Sequence, residues 1–165
     1  ADVWSTVNHL LQGKLENTLR MGFRVATNTV LGFGGMLDIA TEAGLERQSE
    51  DFGQTLGYWG MPPGPYLVLP VLGPSTVRDT AALVADLQAG PTQYIDDGAG
   101  TLAGVTVLRV VSTRSGLLGA SKVLDDVALD KYSFLRDAYL ARRKNQVYDG
   151  DPPPEPEEAD PEAKP

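Results

Sequence analysis

Apolar residues recur at helical spacing over most of the chain. Val3, Trp4, Val7, Leu10 and Leu11 do so up to Gly13 and predict a first helix. A second helix is expected from Lys14 to about Leu31, with Leu15, Leu19, Phe23, Ala26 and Val30 as its buried stripe. Met21 and Val25 lie off that stripe, so a second face of this helix is also expected to be covered. Glu16, Arg20 and Arg24 step by four and make a charged edge. Gly32, Gly34 and Gly35 around Phe33 end the helical pattern; a C-cap and tight turn is the preferred reading over a phosphate cradle. A short helix follows from Met36 to Ala43, closed by Gly44, and Ser49 is the expected N-cap of another from Glu50.

The pattern then breaks. From Glu50 to Asp79, glycines at 53, 57, 60, 64 and 73 mix with prolines at 62, 63, 65, 70 and 74, among Phe52, Tyr58, Trp59, Tyr66, Leu67, Leu69 and Leu72. Gly and Pro alone would suggest a linker, but a linker does not carry so many large apolar groups. An irregular backbone pinned into one shape fits better, either a well-packed loop, a buried hinge, a pocket wall or a surface that meets lipid. Helix resumes at Pro74-Ser75-Thr76, where Thr76 to Asp79 has the form of a capping box, and runs along Val77, Ala81, Val84 and Leu87 to Gln88. Arg78 and Asp79 are either a buried ion pair around the Gly/Pro stretch or a cap with a surface charge. Residues 94–104 fit no element, with a turn expected at Asp96-Asp97-Gly98. Over 105–111 the β-branched residues favour a strand while the length permits helix, and helix is preferred because no second strand is available to pair with it; a helix is expected from Thr113 to Val127. The last ordered element is a helix from Asp130 to about Val147, along Tyr132, Leu135, Tyr139 and Arg142. The expected class is all-α with one large non-helical insertion.

Charge and composition exclude several activities. The formal net charge is −8, and six acids against Lys164 lie in the Pro/Glu-rich segment after Gly150, leaving about −3 for the rest. That segment has no aromatic residue and is expected to be disordered, so the chain divides into a helical domain over 1–148 and a tail over 149–165. No basic patch suits nucleic acid. The chain has no cysteine, which excludes thiol chemistry and cysteine-ligated metal. No run reaches the roughly 18 apolar residues of a transmembrane helix. His9 is the only histidine, and a partly buried or surface role is preferred over a general base. Ser75 lies in no nucleophile elbow, and Glu50-Asp51 read as solvated acids at a helix end. No cofactor and no enzymatic activity are expected. An apolar surface of unusual shape suits an apolar ligand.

Three stretches resemble the MlaA (VacJ) family of outer-membrane lipoproteins. They are Asn28 to Ala40, containing Gly32, Gly34, Gly35 and Asp38; the Gly/Pro stretch through Gly73-Pro74-Ser75 and Arg78-Asp79; and Arg114 to Arg143, containing Tyr132, Arg136 and Tyr139. The resemblance implies a helical ring embedded in the periplasmic leaflet of the Gram-negative outer membrane. It implies an amphipathic channel that passes misplaced phospholipid to a soluble periplasmic carrier, with trimeric porin as a membrane companion. A porin-associated structural lipoprotein without transport is the alternative. A lipid hydrolase is disfavoured by the lack of a nucleophile and base. On this reading Gly57, Tyr58, Trp59, Gly60, Gly64, Pro65, Tyr66, Leu67, Leu69, Pro70, Leu72 and Gly73 line or support the lipid path. The family's signal peptide, lipidated cysteine and early helices are expected upstream of this sequence. Lys131 stands where the family commonly has proline.

Overall fold

The computed structural model describes residues 2–70, 72–89, 107, 111–112, 115 and 130–154. Helix α1 (Asp2–Leu11) turns at Gly13 into α2 (Leu15–Val30), and the two pack along each other. After a glycine turn comes the single-turn α3 (Ile39–Glu42), then α4 (Phe52–Tyr58). The Gly/Pro stretch is not merely irregular. It holds an antiparallel hairpin, β1 (Tyr66–Leu69) with β2 (Gly73–Thr76), in which Tyr66 faces Thr76 and Leu69 faces Gly73. A long helix α5 (Val77–Gln88) follows, and α6 (Lys131–Val147) packs against α4 and β2. The all-α expectation is therefore corrected by one small sheet. Pairing over four residues needs no β-rich sequence once Gly73, at φ 85°, lets the chain reverse.

Local chemistry sets the helix starts. Asp51, Thr76 and Asp130 each accept a backbone N–H from the first turn of the following helix. The cap of α4 is thus Asp51 rather than Ser49, and α5 starts only after Thr76, with Pro74 and Ser75 in β2. The helix expected over Met36–Ala43 shrinks to α3, because Asp38 caps it and residues 31–36 form the turn. Gly44, at φ 82°, does end that segment. Val107, Val111, Ser112 and Ser115 are helical. Residues 90–106, Arg114, most of the helix expected over 113–127 and the tail from 155 lie outside the described residues.

The largest departure concerns which faces are buried. The stripes of α1 and α2 point outward: Val3, Val7, Leu10, Leu15, Leu19, Phe23 and Val30 are all exposed. So are Val77, Ala81, Val84 and Leu87 of α5. The buried faces carry Ser5, Asn8, His9 and Gln12 on α1, and Met21, Arg24 and Asn28 on α2. Arg24 leaves the charged edge expected for it and is fully enclosed, while Glu16 and Arg20 stay outside, 3.5 Å apart. Among the described residues the buried apolar side chains are Met21, Ala40, Ala82 and Val147, fewer than the buried polar ones. Periodicity finds the face of a helix that differs from its opposite. It does not say which of the two looks inward.

The glycine turn after α2 is held by close approach. A Cβ on Gly32 would lie 2.3 Å from the Leu37 carbonyl oxygen and 2.5 Å from that of Asn28. Phe33 adopts φ 52°, which costs a non-glycine residue on the order of 1 kcal/mol. Gly32→Ala is expected to lower stability by about 2–4 kcal/mol in chemical denaturation, since neither backbone oxygen can yield. Gly22→Ala, in open space inside α2, is expected to raise it by about 0.5–1 kcal/mol.

Candidate functional site

A cluster of charges lies where α4, α5 and α6 meet. Arg143 of α6 donates a two-pronged pair to Asp51, at 2.7 Å to Oδ2 and 2.6 Å to Oδ1. The same guanidinium donates to Asp79 through Nε at 2.9 Å and Nη2 at 3.1 Å. Arg78 Nε donates to Asp79 Oδ1 at 3.0 Å, and the Tyr139 hydroxyl donates to Oδ2 at 2.9 Å. Arg78 Nη1 also reaches the Met61 carbonyl at 3.3 Å, joining the cluster to the Gly/Pro stretch. Burial works to raise the Asp79 carboxyl, but the hydrogen bonds and charge of Arg143 outweigh it and hold it at about 2. Asp51 is lowered for the same balance of reasons. Burial and then Asp79 push Tyr139 up to about 12.

Glycine makes room for this cluster. A Cβ at Gly53 would sit 2.5 Å from Arg143 Nη2 and 2.6 Å from Asp79 Oδ1. One at Gly57 would sit 2.5 Å from Arg78 Nη1 and 2.9 Å from a Val147 methyl. Gly57 therefore lies against the charged cluster at the buried side of α4. Arg78 and Asp79 form the buried pair, not the surface alternative. Glu50 and Asp51 are not solvated: one is enclosed and the other is paired with Arg143.

A second buried system joins α1 to α4. Gln12 donates to Glu50 Oε2 at 3.0 Å and to Thr55 Oγ1 at 3.1 Å, and Thr55 donates to Asn8 Oδ1 at 2.7 Å. Ser5 Oγ accepts the Glu50 N–H at 3.1 Å. Lys14 Nζ lies 2.6 Å from Asp149, 3.8 Å from Glu50 and 5.0 Å from the centre of the Tyr58 ring. Burial pushes the Glu50 carboxyl up to about 7 against the opposing pull of Gln12 and Lys14. His9, expected to be partly buried or at the surface, is fully enclosed here, and burial lowers its pKa. Beside this system a cleft of about 320 Å³ is lined by Gln48, Glu50, Gln54, Asn145, Gln146 and Asp149. Amides and carboxylates make it a place for polar groups, not acyl chains.

The third system braces the glycine turn. Arg24 donates to Asp2 at 3.0 Å, Thr41 at 2.8 Å, the Leu45 carbonyl at 2.6 Å, and Asp38. Asn28 donates to Asp38 at 3.0 Å and accepts the Ala40 N–H at 2.8 Å. Gly34 and Gly35, at φ 72° and 90°, carry the turn around Phe33. Thus Asn28, Gly32, Gly34, Gly35 and Asp38 of the first sequence stretch form one unit.

The other expected site residues line the outer side of α4 and the hairpin. Trp59 donates to the Leu11 carbonyl at 3.1 Å and meets Phe52 edge-on, yet remains over half exposed. Tyr58, Leu67 and Leu72 are exposed, as is Pro70 at the hairpin bend, and Leu69 is half-buried. Gly60 (φ 92°) and Gly64 (φ 70°) make the reversals that bring Pro65, whose carbonyl accepts the Val77 N–H, into line with β1. Tyr66 meets Tyr132 and Tyr139 edge-on at 5.7 and 6.1 Å. Arg136 pairs with Asp137 and lies 6.0 Å from the Tyr132 ring centre. Gly53 and the central roles of Asp51 and Arg143 escaped the sequence reading. A usable signal was the one-turn spacing of Tyr139 and Arg143 on α6.

The MlaA lipoprotein family model matches residues 1–146. The chain belongs to the MlaA lipoprotein family. Similar proteins include the "Intermembrane phospholipid transport system lipoprotein MlaA" of Escherichia coli K12, 34% identical over 143 residues, 82% of this chain and 54% of that protein. The protein of the same name from Haemophilus influenzae is 32% identical over 158 residues, 88% of this chain and 59% of its own length. An uncharacterized Rickettsia typhi protein is 32% identical over 144 residues, 87% of this chain and 57% of that one. The chain thus spans somewhat over half the length of the curated relatives it matches. A structure solved in work on the "Structural basis for maintenance of bacterial outer membrane lipid asymmetry" superposes with a TM-score of 0.72 at 32% identity, covering 88% of this chain and 73% of that one. The MlaA fold is therefore shared, and the family match over residues 1–146 includes the residues of the Arg143 cluster.

Arg143→Met is expected to cost about 3–5 kcal/mol in chemical denaturation, because it strips half-buried Asp51 of its cation and leaves buried Asp79 with Arg78 alone. Arg143→Lys keeps the charge but cannot bridge both carboxylates and should recover only part of that loss. Two opposite pH trends are expected. Asp79 has a folded pKa below its unfolded 3.8, so its contribution is present above that value and is lost as pH falls toward about 2. Glu50 has a folded pKa above its unfolded 4.5, so stability is lost as pH rises from there to about 7 and then levels off. Glu50→Gln should flatten the second trend and leave the first, as read by melting curves between pH 2 and 8.

Proposed function

We propose that the protein takes phospholipid from the outer leaflet of a Gram-negative outer membrane and passes it inward through an amphipathic path. One observation carries this reading: the described residues are largely polar within and apolar without. Buried Arg24 pairs with Asp2 and Asp38, Glu50 with Gln12 and Lys14, and Arg78 and Asp79 with each other and with half-buried Arg143, while Leu19, Phe23, Val84, Leu67 and Leu72 face outward. Such a distribution is costly in water and favourable where the surroundings are hydrocarbon. No helix among the described residues is long and apolar enough to cross a membrane. An amphipathic body held in one leaflet accounts for both facts. The names of the relatives, which specify phospholipid transport, support the same reading.

On this proposal the outer side of 57–73 serves the lipid path. Tyr58, Trp59, Leu67 and Leu72 supply apolar contact, and the glycines at 60, 64 and 73 set the backbone that holds them out. The polar cleft beside Glu50 is unsuited to acyl chains, so the tails pass elsewhere. The transport step moves a lipid without making or breaking a covalent bond. A lipid anchor outside this sequence, a trimeric porin and a soluble periplasmic carrier complete the proposed setting.

Loss of the full-length protein from its own host is expected to raise the phosphatidylethanolamine that a membrane-impermeant amine reagent labels at the cell surface by several-fold. Wild-type protein should reverse this. Leu67→Asp and Leu72→Asp, which alter exposed positions outside the charged clusters, should fold normally yet fail to reverse it. Unchanged surface labelling on loss, with porin still co-purifying, would replace transport by the structural porin-associated role. Full reversal by both aspartate variants would remove the hairpin from the path.

A further inference from the structure

Helix α2 changes character along its length. Its first half shows an exposed ion pair, Glu16 with Arg20. Its last charged residue, Arg24, points into the protein, and residues 25–37 carry no charged side chain at all. At the far end, apart from Thr29, the exposed side chains are apolar: Val30 is 78% exposed, Phe33 79% and Met36 87%. Ten residues separate Arg20 from Val30, about 15 Å of helix. That is about half of the roughly 30 Å hydrocarbon core of a bilayer, the depth of one leaflet.

The turn that carries Phe33 and Met36 is closed by backbone hydrogen bonds, yet the fold encloses neither side chain. Phe33 takes a left-handed backbone that bulky residues disfavour, yet its ring gains no enclosure from the fold in return. The backbone is tied down by Gly34 N to Thr29 O at 3.0 Å, Gly35 N to Asn28 O at 2.8 Å and Leu37 N to Gly32 O at 3.0 Å. Gly32 leaves no space for a side chain, and the Arg24–Asn28–Asp38 brace lies directly beneath. A braced turn with a left-handed non-glycine residue and large apolar groups held outward points to a function for those groups.

We propose that the turn from Gly32 to Met36 is a lipid-penetrating tip. It enters the acyl-chain region first and carries Phe33 and Met36 toward the bilayer midplane, with Glu16 and Arg20 at head-group level. Acyl chains, not a protein pocket, are the occupant. The amides at 34, 35 and 37 bond internally, so the turn offers little for the polar rim of a protein interface. Exposed Leu19, Phe23 and Ala26 also lie along the same helix, whose inner face carries Arg24 and Asn28 beside Met21. This inference rests on the membrane-embedded reading above and adds the direction and depth of entry.

These 165 residues contain no cysteine, so a single cysteine introduced among them can be labelled selectively within them. Single cysteines at Arg20, Phe23, Phe33, Met36 and, as a control, Glu46 are spin-labelled in the full chain. The chain is then placed in vesicles of phosphatidylethanolamine and phosphatidylglycerol. Access to oxygen relative to a water-soluble nickel chelate should rise from 20 through 23 to a maximum at 33 and 36. If 23 reports lipid but 33 and 36 are no deeper than 20, the tip is wrong and the membrane reading stands. If every label reports water, the membrane reading fails and takes the tip with it. Labels at 33 and 36 screened from both reagents would mean a protein contact and overturn the proposal. Phe33→Asn gives an independent measure, since asparagine tolerates the left-handed region. It should leave the melting curve in place and lower vesicle partitioning about tenfold; unchanged partitioning would count against the tip.

Discussion

Arg143 donates to Asp51 and Asp79 at once, and that double attachment ties α6 to the first turns of α4 and α5. The two aspartates are themselves first-turn residues: Asp51 caps α4, and Asp79 supplies the N–H that Thr76 caps on α5. One guanidinium therefore sets the meeting point of three helices. Gly53 is required because any side chain there would occupy the space of the Arg143–Asp79 contact. Arg78 extends the cluster to Met61, so the hairpin segment hangs from it as well. A pair of this kind is weak evidence for net stability, since desolvation offsets much of the attraction. Its effect is positional: only one arrangement of the three helices satisfies all the charges.

Polar clusters of this sort replace the usual hydrocarbon core. The Arg24–Asp38–Asn28 brace fixes the glycine turn, and the Gln12–Glu50–Thr55 system joins α1 to α4. Burying polar groups inward releases the apolar faces of α1, α2 and α5 to the outside. In water such a body would expose large contiguous apolar surface and associate. Within one leaflet the same surface is in its preferred medium, while hydrogen bonds inside are protected from competition. The proposed path for lipid and the proposed entry of the α2 turn are both consequences of that inversion.

The elements themselves were legible. Gly13, Gly44, Thr76 and Asp130 marked helix ends through local φ preference and capping, which act within a few residues. The hairpin was missed because Gly73 and the prolines obscured a pairing that depends on two four-residue runs meeting in space. Asp51 took the cap from Ser49 because it also gains Arg143, a contact 92 residues away. Gly57 stood out among the apolar glycine-rich residues, but its reason is Arg78 and Val147 pressing on α4.

Sequence alone marked several of the helix ends, and showed that α1, α2 and α5 each have two unlike faces, since periodicity and caps are properties of short stretches. It also carried the family resemblance, through motifs whose order along the chain is itself information. Tertiary structure alone decided that the unlike faces are turned inside out. The sign of that choice depends on whether Arg24 and Arg143 find carboxylates across the fold, and those partners lie 14 and 92 residues away. A stripe of leucines looks the same whether it meets a protein core or a membrane; the buried charges opposite it are what distinguish the two.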